Sequence, residues 1–196
     1  QDVFYVRGND FLTMVTGAYC RVTAARFVYS VSSDANVEPD ALDSVHPIPR
    51  RAFVGAIRDA DGVVAQTEYQ RSVLADSHGI DSTVIPNGYK MPPTEAVLPH
   101  DEREYVLWVG RMARDQKRPE RYLELAHALP DVEFVMVGPP NDDEEAYFEE
   151  LRERAGAIGN LRFVGFIPPN EVDGYYRRAS MLVNTSETEG FPNTFL

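Results

Sequence analysis

Met181-Leu182-Val183-Asn184-Thr185-Ser186-Glu187-Thr188-Glu189-Gly190-Phe191-Pro192-Asn193-Thr194-Phe195-Leu196 is the stretch on which the fold turns. Its first four residues read as a short buried strand, and the chain after Pro192 is ready to begin a helix. A glycine and an acid at a strand-to-helix crossing place the segment at the carboxyl edge of a parallel sheet, where open α/β folds bind ligands. The first N–H groups of the helix would face the same spot and suit an anion such as a phosphate. Glu189 repels an anion, so its carboxylate is better placed to accept hydrogen bonds from sugar hydroxyls. Together these features point to a phosphorylated sugar.

Working back from that stretch, hydrophobic runs alternate with amphipathic ones. Strands are expected at Asp2–Arg7, Phe27–Val31, Val63–Ala65, Val84–Pro86, Tyr105–Val109, Val132–Val137 and Leu161–Gly165. Helices are expected at Phe11–Ala25 behind an Asn9-Asp10 cap and at Arg50–Ala60 with Phe53, Ile57 and Ala60 inward. A third follows Thr67, with Tyr69, Val73 and Leu74 on its apolar face and His78-Gly79 at its end. Further helices run over Pro119–Leu129, behind an Asn141/Glu144 capping box with Tyr147, Leu151 and Ala155 inward, and over Glu171–Ala179 behind Asn170. Such alternation predicts an α/β fold with two doubly wound parallel sheets, both incomplete. Residues 1–88 form one half and residues 104–196 the other. The proline-containing, aperiodic residues 89–103 read as a linker, although a plain surface loop would look the same.

Composition narrows the function. The formal net charge is −12, from 31 acidic against 19 basic residues, so a nucleic-acid partner is disfavoured. Of the basic residues only Lys90 and Lys117 are lysines. A salt-adapted source would give this acidic balance, and a GC-rich genome would give arginine over lysine. The single cysteine, Cys20, excludes an internal disulfide and fits a reducing, cytoplasmic compartment. No run is long and apolar enough to span a membrane. His46, His78, His100 and His127 have no ligand spacing with Cys, Asp or Glu, so no metal site is expected.

Arg111 follows the strand end Trp108-Val109-Gly110, and Lys117 lies six residues later, before a helix. Two cations on one loop at the carboxyl edge suit a diphosphate, Arg as a planar fork and Lys as a point charge. A solvated basic loop would carry the same residues. Likewise Glu189 could simply face a helix dipole, charge alone does not separate it from Glu187, and Asn193 could be only a cap.

Ser186-x-x-Glu189-Gly190-Phe191-Pro192-Asn193-Thr194, with Val109-Gly110-Arg111 and Lys117-Arg118-Pro119-Glu120, resembles the retaining GT-B glycosyltransferases of family 4, the glycosyl transferases group 1. The resemblance covers about Phe27 to Leu196 and includes Ile85-Pro86-Asn87-Gly88, which commonly marks the passage between the two GT-B domains. It implies an N-terminal acceptor-side domain and a C-terminal nucleotide-sugar domain. It also implies metal-independent transfer of a hexose, with retention, from a nucleotide-diphosphate sugar to a hydroxyl of a glycan, lipid or small molecule, with no cofactor. By the same resemblance Arg111, Lys117 and Glu189 would take the catalytic roles, and Gly110, Phe166, Ile167 and the run Gly190, Phe191, Pro192, Asn193 and Thr194 would contact the donor, although by default Phe166 is a core or edge aromatic.

Three features depart from the family pattern. The second glutamate of its pair would fall one position after Leu196 and the glycine-rich N-domain loop upstream of Gln1, so the chain is read as cut at both ends. Gly138-Pro139-Pro140 replaces a Gly-x-Gly, which makes Gly138 a turn residue, and Ser32, Ser33 and Asp34 stand where many relatives have a histidine. A non-catalytic nucleotide-sugar-binding protein and a nucleotide-sugar epimerase stay open as alternatives on the same fold. Peripheral membrane contact on the cytoplasmic face stays open too.

Overall fold

The computed structural model describes residues 2–8, 11–40, 50–89, 91–189 and 192–195. The chain divides into two compact units, one of residues 1–88 with 189–193 and one of residues 89–188 with 194–196. Each holds a four-stranded parallel sheet.

In the first unit the strands β1 (Val3–Arg7), β2 (Arg26–Ser30), β3 (Gly62–Ala65) and β4 (Thr83–Val84) lie side by side in chain order. Helices α1 (Phe11–Thr23), α2 (Arg50–Arg58) and α3 (Glu68–His78) make the crossovers. Alternation along β2 and β3 turns Phe27, Tyr29, Val63 and Ala65 to one face, where they meet Cys20 of α1, Phe53 and Ile57 of α2, and Leu74 of α3 in one cluster. A sheet that grows in one direction by right-handed crossovers collects those helices on one face. Gly17 lets α1 approach α2, since a Cβ there would sit 3.3 Å from Ala56 Cβ.

Helix α3 starts and stops where its sequence says. Thr67 Oγ1 accepts from the Gln70 N–H at 3.1 Å, and Gly79 takes the left-handed conformation, φ 62°, that closes the last turn. Tyr69 corrects the expected apolar face. It is exposed and its hydroxyl donates to Glu38, because Leu74 and the buried Gln70 already fill the inward side. The expected Asn9-Asp10 cap and His46 fall outside the described residues.

The second unit is built differently. Strands β5 (Tyr105–Val109), β6 (Phe134–Val137), β7 (Leu161–Gly165) and β8 (Ala179–Leu182) lie in the order β7-β6-β5-β8. The chain therefore starts in the middle, grows outward twice, then returns to the other side of β5. Helices α4 (Arg114–Lys117), α5 (Pro119–Ala128), α6 (Glu145–Gly156) and α7 (Val172–Arg178) connect the strands.

The reversal puts helices on both faces. Trp108, Phe134 and Met136 pack with Tyr122 and Leu123 of α5 and Tyr147 and Leu151 of α6. Tyr105, Leu107, Val135 and Val137 point the other way, toward Tyr175 and Tyr176 of α7. Tyr122 ties α5 to the sheet, its hydroxyl lying 2.8 Å from Val106 O and 3.0 Å from Val135 O.

Two caps differ from expectation. Glu144, not Asn141, is the cap residue of α6; Asn141 Nδ2 instead donates to the Glu144 carboxylate at 2.7 Å. Glu171 replaces Asn170 as the cap of α7, because that helix begins one residue later than its pattern indicates.

Candidate functional site

The strand order reverses between β5 and β8, and in open parallel α/β sheets the carboxyl edge at such a switch point is the usual place for a ligand. The residues that follow β5 are Gly110, Arg111 and the segment to Lys117, and those that follow β8 run from Val183 to Glu187. These are the two segments the sequence marks out.

Backbone geometry shapes the floor of this edge. Gly138 has φ 154°, and a Cβ on it would lie 1.6 Å from Gly110 O, so only glycine lets the β5 and β6 ends approach this closely. Met112 N–H then donates to Pro139 O at 2.9 Å and Gly138 N–H to Gly165 O at 2.8 Å, joining the ends of β5, β6 and β7. Gly138 is thus a turn residue, as expected, and it sits in the wall beneath Arg111's loop.

Lys117 ends α4 for a local reason. Pro119 disfavours helical geometry in the residue before it, and Arg118 takes φ 49°, a left-handed break between α4 and α5. Pro119 then occupies the first position of α5, where its missing N–H costs nothing. At the other end of α4, the Glu144 carboxylate accepts the Arg114 N–H at 2.9 Å. That bond, together with the Asn141 amide and the Arg114 charge, holds the Glu144 carboxyl below its ordinary range against the opposing pull of burial.

The loop is rich in cations, and acids face most of them. Arg111 Nη1 lies 2.9 Å from Asp142 Oδ2, yet the two side chains are 51% and 90% exposed, so the pair is weak enough for an incoming anion to replace. Arg114 reaches Glu150 at 3.2 Å and stacks 3.9 Å over the Tyr147 ring. Arg118 Nε lies 3.0 Å from Glu120 Oε1. The Tyr147 hydroxyl donates to Glu120 at 2.6 Å; burial first, and that acceptor second, push its pKa well above the ordinary tyrosine value.

The strand β8 segment joins the same loop. Glu187 N–H donates to Gln116 O at 2.9 Å, and its carboxylate pairs with Arg121 and, at 3.7 Å, with Arg118. Glu187 is thereby tied to the start of α5. Thr185 Oγ1 donates to Lys117 O at 2.6 Å and accepts from Trp108 Nε1 at 2.9 Å. Sequence reasoning gave Trp108 and Thr185 no role and left Glu187 level with Glu189; the one available signal was the chain's single tryptophan standing two residues before Gly110.

The remaining candidates are distributed as follows. Ile167 packs into the face that holds Tyr105 and Leu107, whereas Phe166 is 64% exposed just after β7. Glu189, Pro192 and Asn193 group with the first unit, where Asn193 Oδ1 accepts from Asn87 Nδ2 at 2.7 Å, and Thr194 groups with the second. The expected helix start after Pro192 is a 3-10 turn over Asn193–Phe195. Gly190 and Phe191 lie outside the described residues. Among the described residues no cluster of His, Cys, Asp and Glu could hold a metal ion, and no helix is long and apolar enough to cross a membrane.

Known proteins place this architecture. Across 98% of its length the chain superimposes on the crystal structure of Anabaena HepE in complex with UDP, with a TM-score of 0.73 at 18% identity, covering 56% of that chain. It is 27% identical over 180 residues to D-inositol 3-phosphate glycosyltransferase of Mycolicibacterium gilvum, which is 83% of this chain and 40% of that protein. Against the D-inositol 3-phosphate glycosyltransferase of Mycobacterium sp. (strain KMS) it is 30% identical over 189 residues, 86% of this chain and 42% of that one. The chain thus spans about two-fifths of the length of these curated relatives. The family model for glycosyl transferases group 1 matches residues 93–196, the whole of the strand-reversal unit apart from its first few residues, and the chain belongs to that family.

Proposed function

We propose that this chain carries the donor side of a glycosyltransferase that moves a hexose from a nucleoside-diphosphate sugar to an acceptor hydroxyl, with retention and without a metal ion. The observation that carries this reading is the β5/β8 reversal, with Arg111 and Lys117 on the segment after β5 and the β8 segment hydrogen-bonded to the same loop. Transfer breaks the bond between the sugar's anomeric carbon and the terminal phosphate oxygen, and charge builds on the departing diphosphate. Arg111 and Lys117 supply preorganised positive potential at that oxygen, the largest single contribution an enzyme usually makes. Retention follows when the acceptor oxygen bonds to the same face and gives its proton to the leaving phosphate. Glu189 holds the sugar hydroxyls, with Gly190, Phe191, Pro192, Asn193 and Thr194 around the sugar and diphosphate. Gly110, Phe166 and Ile167 line the nucleotide side.

UDP in the HepE complex makes a uridine diphosphate sugar the first donor to test, and the inositol phosphate relatives make a small phosphorylated polyol the first acceptor. The first unit takes the acceptor side, residues 89–103 serve as the linker, and the reaction runs in the cytoplasm. The test is a thermal-shift series with UDP-, GDP-, ADP- and TDP-sugars. At a hundred times the dissociation constant, a ligand that binds only the folded chain stabilises it by about 2.7 kcal/mol. Absence of any shift across the series overturns the reading. Product analysis on the full-length protein then separates transfer (nucleotide plus glycoside) from epimerisation (an isomerised donor) and from binding alone.

A further inference from the structure

We infer that Thr185, held by the buried Trp108 indole, is the residue that positions Lys117. The inference rests on the donor reading above. One side chain fixes both ends of the cationic loop. At its start, a Cβ on Gly110 would lie 3.1 Å from the Trp108 ring, so the loop leaves β5 in close contact with the indole. At its end, the indole N–H donates to Thr185 Oγ1 at 2.9 Å, and that hydroxyl donates to the Lys117 carbonyl at 2.6 Å.

Trp108 is 2% exposed and is the single tryptophan of the chain. Buried on the α5/α6 side of the sheet with Tyr122 and Phe134, it gives the loop a fixed reference. The threonine hydroxyl suits the place because it accepts and donates at once, relaying the indole's position to the backbone of Lys117. Preorganisation is what makes a cation effective at a diphosphate: a lysine on an unpinned turn must lose mobility when the anion arrives. Thr185 thus acts through Lys117, without touching the ligand.

The experiment is a thermodynamic cycle on the chain, with UDP, GDP and ADP as probes, calorimetry for affinity and Trp108 fluorescence as a local signal. Thr185→Val removes both hydrogen bonds at nearly constant volume, and Thr185→Ser keeps them. Expected are a loss of affinity of about tenfold for Thr185→Val, about the value of one lost charge-assisted contact, and near wild-type affinity for Thr185→Ser. Lys117→Ala should weaken binding at least as much, and adding Thr185→Val to it should cost no more. The indole emission should shift in Thr185→Val without ligand, and in the wild type on binding.

Losses that add in the double variant, or Thr185→Val binding like wild type while Lys117→Ala does not, overturn the positioning role and leave the donor reading intact. A wild-type chain that binds none of the three nucleotides overturns the donor reading and this inference with it. Amide exchange over residues 111–117 guards against a folding defect: Thr185→Val should quicken exchange there and leave α6 unchanged, and protection lost throughout the unit would refute a local role.

Discussion

The two sheets are made by the same local rules and end in different chemistry. In the first unit the strands follow chain order and the carboxyl edge is closed upon itself. Asn36 Oδ1 accepts from Ser32 N at 2.8 Å, Ser32 Oγ at 2.6 Å and Ser33 N at 3.1 Å, and Gln70 Nε2 donates to Asp34 at 2.9 Å. Those bonds occupy the polar segment Ser32-Ser33-Asp34 that follows β2. In the second unit the strand order reverses between β5 and β8, and the segments that follow those two strands, one of them carrying Arg111 and Lys117, are hydrogen-bonded to each other. A switch point of this kind comes from where a strand inserts, a property that no single segment carries.

The strongest way to break the comparison is to fill the close approach beneath the loop. Gly138→Ala, whose Cβ would overlap Gly110 O, should cost about 3–5 kcal/mol by chemical denaturation and abolish nucleotide binding. Gly79→Ala in the first unit also meets a positive φ, but nothing lies within 4 Å of its Cβ, so it should cost only about 1–2 kcal/mol. Equal losses at the two glycines would mean that the β5–β6 contact is not tight.

Charge sharpens the contrast next. Arg111→Ala or Lys117→Ala should lower turnover of the full-length protein, and nucleotide affinity of the chain, by more than about tenfold, near 1.4 kcal/mol. Arg71 of the first unit is as exposed as Arg111, 54% against 51%, and it too pairs with an acid, Glu68 at 2.6 Å. Arg71→Ala should leave both quantities unchanged; an equal loss there would reduce the effect to net charge.

Tyr122→Phe tests how firmly the second sheet is held. Its hydroxyl proton serves two buried carbonyls, so removing it should cost about 1–2 kcal/mol in the unfolding of this unit, with amides of β5 and β6 exchanging faster.

The smallest effect concerns acid. Glu144's folded pKa is depressed, so its contribution is fully present above its unfolded value, about 4.3, and is lost as pH falls through the lower folded value. Glu144→Gln should lower stability slightly at neutral pH, where the contribution is fully present, and flatten the dependence on pH in that acid window; an unchanged acid slope would show that the carboxylate's bond to α4 contributes nothing.

Much of this was legible one segment at a time. Thr67 and Gly79 bracket α3 because a side-chain oxygen and a left-handed glycine act within one turn. Lys117 ends its helix because Pro119 follows two residues later. The misreadings share a cause. Tyr69, Asn141 and Asn170 all fit their local patterns, and each was displaced by a partner from elsewhere or by a neighbour that filled the place better: Glu38 for the tyrosine, Arg114 for the acid opposite Asn141, and Glu171 at the start of α7.

The sequence by itself determined the alternation of strand and helix, the glycines at the ends of β5, β6 and β7 and the cations at 111 and 117, because periodicity, caps and turn geometry are short-range. Only the tertiary structure decided that β8 lies against β5, that Glu187 belongs to Arg121 and Arg118, and that Trp108 reaches Lys117 through Thr185. Those contacts join residues as many as 77 positions apart, and their partners are chosen by burial of the whole sheet.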